Sequence, residues 1–171
     1  MNNKNDSYSR LNNNETFANA LEESIFCKNN TVVRDYATTF AYDFSAIPKI
    51  EKTLFNMCTT IGLSIQMNGT IYLVKGLAYY IDEADSPRTF AEFCRGVARN
   101  CNIKAGGIKA AILRALNGVG VRQLQKINRM FCAEILSLGE EFCVKEFIVR
   151  LCTYLVMLKS HQDGNPFLKN M

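Results

Sequence analysis

The stretch SPRTFAEFCRGVARNCNIKAGGIKAAILRALN, residues 86–117, decides the fold. Ser86-Pro87 offers a side-chain cap followed by a residue already held at the helical φ. Phe90, Phe93, Cys94, Val97 and Cys101 then recur at the i, i+3, i+4, i+7, i+11 spacing of one helix face. Ala105-Gly106-Gly107 interrupts that pattern, and Ile108, Ala111, Ile112, Ala115, Leu116 and Val119 resume it. The residues therefore predict a helical hairpin, Pro87 to Lys104 and Ile108 to Leu138, with facing apolar stripes. At about 1.5 Å per residue the ascending arm is a rod of roughly 27 Å. Two such helices bury too little to stand alone. They pack on the rest of their own chain, or they pair with a copy of themselves into a four-helix bundle, the self-complementary solution of a symmetric dimer.

Downstream, Asn117-Gly118-Val119-Gly120 should bend or interrupt the descending helix, since glycine in a helix interior costs about 1 kcal/mol relative to alanine. Leu124, Ile127, Phe131, Ile135 and Leu138 restore the pattern. Gly139 ends it, Glu140-Glu141 suits the positive end of a new helix, and Phe147, Ile148, Leu151, Tyr154, Leu155 and Leu158 make that helix's stripe up to Lys159. Ser160 to Pro166 reads as turn chemistry, followed by the apolar pair Phe167-Leu168 on an extended arm, residues 160–171.

Upstream, Met1 to Asn14 holds six asparagines and almost nothing apolar, which predicts a flexible arm and no secretory leader. Residues 15–159 are then expected to form one helical assembly domain. Glu15 to Phe26 reads as a short helix, Thr31 to Phe44 fits a helix or a strand, and Ile47-Pro48 opens a helix through Ile50, Leu54, Met57 and Ile61. Met67-Asn68-Gly69 is a turn, and Ile71 to Ile81 is apolar nearly all round, as the most buried helix of a small fold would be. The fold class is all-α. With 171 residues and 48% apolar composition the chain has material for one domain. No membrane span is expected, because the run Phe147 to Leu158 falls short of the ~20 residues required and contains Arg150.

Chemistry is sparse. Seven cysteines without a C-x-x-C pair and a single histidine, His161, give no zinc spacing, so no metal and no cofactor is expected. Buried thiols are the plain reading, with an intersubunit disulfide through Cys94 or Cys101 as the sharper one. His161 lies in a turn-like segment without a nucleophile beside it, Glu140-Glu141 is a helix start, and Gly118-Val119-Gly120 lacks the third glycine and the strand of a dinucleotide loop. Neither an enzyme nor a small-molecule substrate is expected. Charge says more than the net +4: from Cys94 to Ala133 there are eight basic residues and no acidic one. Arg122, Lys126 and Arg129 share a helix face at i, i+4, i+7, a stripe able to hold phosphates as well as to be an ordinary solvated face.

The run Ile135 to Val149, then Tyr154-Leu155-Val156-Met157-Leu158-Lys159 and Asn165-Pro166-Phe167-Leu168, resembles the end of the assembly domain of hepadnavirus core proteins. Gly118-Val119-Gly120-Val121-Arg122-Gln123-Leu124 resembles the segment where that family's spike helix bends, and Ser86-Pro87 sits where its ascending spike helix begins. The likeness covers about half of the chain, Gly69 to Leu168, and rests on helix pattern and scattered identities. It implies a capsid subunit found in the virion and in the host cytoplasm or nucleus. Two hairpins would pair into a four-helix spike and dimers would close an icosahedral shell around viral nucleic acid. On this chain it implies a dimer seam of Phe90, Phe93, Cys94, Val97, Ile112, Ala115 and Leu116, and contacts between dimers through Tyr154, Leu155, Leu158, Pro166, Phe167 and Leu168.

Three departures stand out: a shorter hairpin, a longer segment before Gly69, and no arginine-rich tail. The first two lean toward the non-enveloped fish relatives, the nackednaviruses. The third leaves two readings of genome contact open: a basic tail that would follow Met171, or other basic residues, Arg122, Lys126 and Arg129 among them. Two alternatives stay open: a viral helical bundle that binds a host partner helix, as mimics of apoptosis regulators do, and a basic helical protein that binds nucleic acid without a shell. Gly118-Val119-Gly120-Val121-Arg122 loosely resembles the groove motif of those mimics.

Overall fold

The computed structural model describes residues 14–22, 48–136 and 143–164. Every regular element there is helical: α1 over 14–22, α2 Lys49–Thr60, α3 Asn68–Glu83, α4 Phe90–Cys101, α5 Ala105–Asn117, α6 Val121–Leu124, α7 Lys126–Phe131 and α8 Val144–Gly164. The all-α reading agrees with this, and no strand occurs among the described residues. The expectations for the asparagine arm before residue 14, for Thr31 to Phe44, for the helix start at Gly139-Glu140-Glu141 and for Pro166, Phe167 and Leu168 lie outside the described residues.

Helix α3 buries one broad face, Gly69, Thr70, Leu73, Val74, Gly76, Leu77, Tyr80 and Ile81, and leaves Ile71, Tyr72, Lys75, Ala78 and Tyr79 half-buried, with α2, α4, α5 and α8 all packing on it. Two glycines set how close they come. A Cβ on Gly76 would lie 2.3 Å from Phe93 Cζ and 2.6 Å from Val97 Cγ2. One on Gly69 would lie 2.1 Å from the Ala111 carbonyl oxygen. The backbone of α3 thus touches α4 and α5 directly, and the ring of Tyr80 stacks on Phe93 at 5.7 Å.

The hairpin exists, with shifted ends. Thr89, not Ser86, caps α4: its Oγ1 accepts from the Glu92 N–H at 3.2 Å, and the Glu92 carboxylate accepts from the Arg88 N–H at 2.9 Å. Asn102 in the left-handed conformation (φ 53°) ends α4, and Gly106 and Gly107 fall inside α5 rather than forming the break. Gly118 ends α5, so the descending arm stops at Asn117 and resumes as the short α6 and α7 instead of continuing to Leu138. Asn128 fastens the segment that follows, its Oδ1 accepting from the N–H groups of Ile135 and Leu136 at 2.9 Å each and its Nδ2 donating to the Leu136 carbonyl. Helix α8 begins at Val144 and continues to Gly164, so Ser160 to Gly164 is helix where turn chemistry was expected.

Candidate functional site

Phe90, Phe93, Cys94, Val97, Ile112, Ala115 and Leu116, expected to face a second copy, are buried inside one chain, Phe93, Val97, Ile112 and Leu116 at 0% exposure. The cause is α3. Gly76 receives Phe93 and Val97, and Gly69 brings α3 against Ala111 and Ala115, so the hairpin's apolar stripes face α3 before any copy can reach them. Cys94 is sealed with them, which leaves the half-buried Cys101 as the accessible thiol of the pair weighed for an intersubunit disulfide.

Helix α8 is divided differently from the single stripe expected of it. Phe147, Ile148, Leu151 and Leu155 are buried, so Leu155 is a core residue and not a contact between subunits. Tyr154 and Leu158 are half-buried, and Met157 is 45% exposed. These three stand at i, i+3, i+4 and form one outward apolar edge. The hydroxyl of Tyr154 donates to the Phe131 carbonyl at 3.4 Å and its ring lies 5.4 Å from that of Phe131, which ties it to the end of α7. Met157 escaped the sequence reading because Tyr154 to Leu158 is apolar on every side, and periodicity alone does not say which side is left over.

Arg122, Lys126 and Arg129 are all exposed, but Arg122 lies on α6 and Lys126 and Arg129 on α7, so the single helix face expected of them is divided between two short helices; Leu124 and Ile127 between them are buried. The other five cations of that stretch, Arg95, Arg99, Lys104, Lys109 and Arg114, are exposed as well.

Three of the described cysteines are buried, and Cys132 and Cys143 are exposed. Burial pushes the thiols of Cys58 and Cys152 up to about 12 and that of Cys94 up to about 11, which keeps them protonated and unreactive. Tyr80 rises to about 12, mainly through burial and then through the carboxylate of Glu92. Among the described residues no three His, Cys, Asp or Glu come together, and no helix is long and apolar enough to cross a membrane. His161 is exposed in the last turn of α8 rather than in a loop. A cleft of about 440 Å³ opens between the starts of α4 and α8, lined by Arg88, Phe90, Lys109, Lys145, Glu146 and Val149 among others. No residue of Gly118 to Arg122, the stretch compared with a partner-helix groove, lines it.

Comparison with protein-family models, with curated proteins and with solved structures gives no match.

Proposed function

We propose that this chain is a self-assembling viral core protein, a helical subunit whose copies associate into an icosahedral shell around a genome, as its likeness to hepadnavirus core proteins implies. The observation that carries the reading is the outward edge of α8, where Tyr154, Met157 and Leu158 keep apolar surface at the solvent boundary of a helix whose other face is fully buried. An edge of this kind is what a contact between subunits requires. The seam is accordingly not assigned to the hairpin stripes. The outer sides of α4 and α5 carry Arg95, Arg99, Lys109 and Arg114, like charges that disfavour bringing two bare hairpins face to face.

Gradient sedimentation of Met157→Glu and of Phe167→Ala against the wild type tests this. A charge at an exposed position leaves the fold intact, and the expected result is a heavy particle fraction for the wild type and a light species for Met157→Glu. Wild-type yields of shells from both variants would remove α8 and its following arm as the contact.

A further inference from the structure

The chain's 20 basic residues are unevenly placed: eight lie between Cys94 and Ala133 with no carboxylate among them, leaving 12 basic against 16 acidic residues elsewhere. All eight are exposed and ride on the consecutive helices α4 to α7 and the turn between α4 and α5. Outside this stretch four cations have partners, while Lys52, Arg88 and Lys145 have no carboxylate within ion-pair distance among the described residues. Lys49 lies 3.9 Å from Glu22, Lys75 3.9 Å from Glu51, Arg150 2.6 Å from Glu146, and Lys159 is buried on two oxygens. Among the described residues none of the eight has a carboxylate within ion-pair distance.

Helix electrostatics accounts for part of the pattern only. Arg99, Arg114, Arg122 and Arg129 sit in last turns, where the helix dipole favours a cation. The same dipole favours carboxylates in first turns, yet α5, α6 and α7 have none there. Arg95, Lys104, Lys109 and Lys126 are not explained by helix ends. A membrane surface would need apolar side chains on the outward side, whereas the apolar stripes of these helices face the core and only Ile103 and Val121, 18 residues apart, stand out.

We infer that α4 to α7 form a cationic surface that binds the phosphate backbone of nucleic acid. No Phe or Tyr of α4 to α7 is exposed, so this surface offers bases no ring to stack on and holds strands by charge. Single and double strands are therefore bound alike and without sequence preference. The inference stands apart from shell formation, since it concerns the surface of one copy and needs no basic tail.

The test is fluorescence anisotropy with the light fraction of the full chain, using a polyuridine RNA of about 30 nucleotides and a DNA duplex of similar length. Expected are binding to both and a loss of about 100-fold or more between about 50 and about 200 mM salt. The triple variant Arg122→Glu, Lys126→Glu, Arg129→Glu should bind at least about 10-fold more weakly. Lys49→Glu, Lys52→Glu, Lys75→Glu, which changes the net charge equally on α2 and α3, should be affected much less, with circular dichroism confirming that both fold. Failure to bind at low salt, equal weakening by the two triples, or tighter binding to phosphatidylserine–phosphatidylcholine vesicles than to RNA would each overturn the inference. None of these outcomes bears on whether shells form.

Discussion

Lys159 shows how one charge ties distant parts of the chain. It is 7% exposed, its Nζ donates to Asn14 Oδ1 at 2.6 Å and to the Ile81 carbonyl at 3.0 Å, and the Asn14 amide donates onward to Asp82 at 2.8 Å. Three helices, α1, α3 and α8, meet at that ammonium, and Asn14 belongs to α1 rather than to a flexible arm. Lys159→Ala removes the donor that Asn14 Oδ1 and the Ile81 carbonyl share, leaving that carbonyl only the Ala84 N–H at 3.4 Å, and should lower the unfolding free energy by about 2 kcal/mol in urea denaturation. Phe93 is a packing residue on the same scale: Phe93→Ala should cost about 3–5 kcal/mol, and Phe93→Glu should unfold the monomer rather than split a dimer. The buried thiols give a pH signature with a definite sign. Cys58, Cys94 and Cys152 ionise near the ordinary 9.0 when unfolded and only at about 11–12 when folded. The unfolded chain therefore loses protons first as pH rises, so their contribution is complete below pH 9 and is lost progressively from there toward 12. Urea midpoints measured from pH 8 upward should fall beyond about pH 9, and replacing Cys58 and Cys152 with alanine should flatten that fall.

Among the elements, α3 governs. Gly76→Ala would drive a methyl into Phe93 and Val97 and should destabilise by about 1–3 kcal/mol, whereas Gly106→Ala meets nothing within 4 Å and should stabilise by up to about 1 kcal/mol. Paired thermal melts of the two variants check both signs at once. Helix existence was legible in the sequence wherever the period was long and clean, as at Phe90 to Val97 and Ile50 to Met57. Helix ends were less legible, because Ser86-Pro87 and Thr89 compete as starts and only the side-chain bonds of Thr89 and Glu92 decide. What buries a stripe was not legible at all. The spacing of Phe90, Phe93, Cys94 and Val97 says that one face is covered, and it is silent on whether α3 or a second copy covers it. A signal was present in Gly69 and Gly76, one face of a helix offering no side chain, which marks a place for close helix approach.

At the scale of the molecule two surfaces stand out among the described residues: an apolar edge on α8 and a cationic surface over α4 to α7, which adjoin where Tyr154 reaches Phe131. On the proposed reading the first meets copies of the chain and the second an anion. A charge-neutralising change such as Arg95→Gln with Arg99→Gln should leave particle formation unchanged while reducing co-sedimenting nucleic acid, read from absorbance at two wavelengths across the gradient. Assembly itself is tested most directly by sedimenting the wild-type chain and imaging the heavy fraction by electron microscopy. The account predicts uniform closed shells, and a single light species at every protein and salt concentration would contradict it.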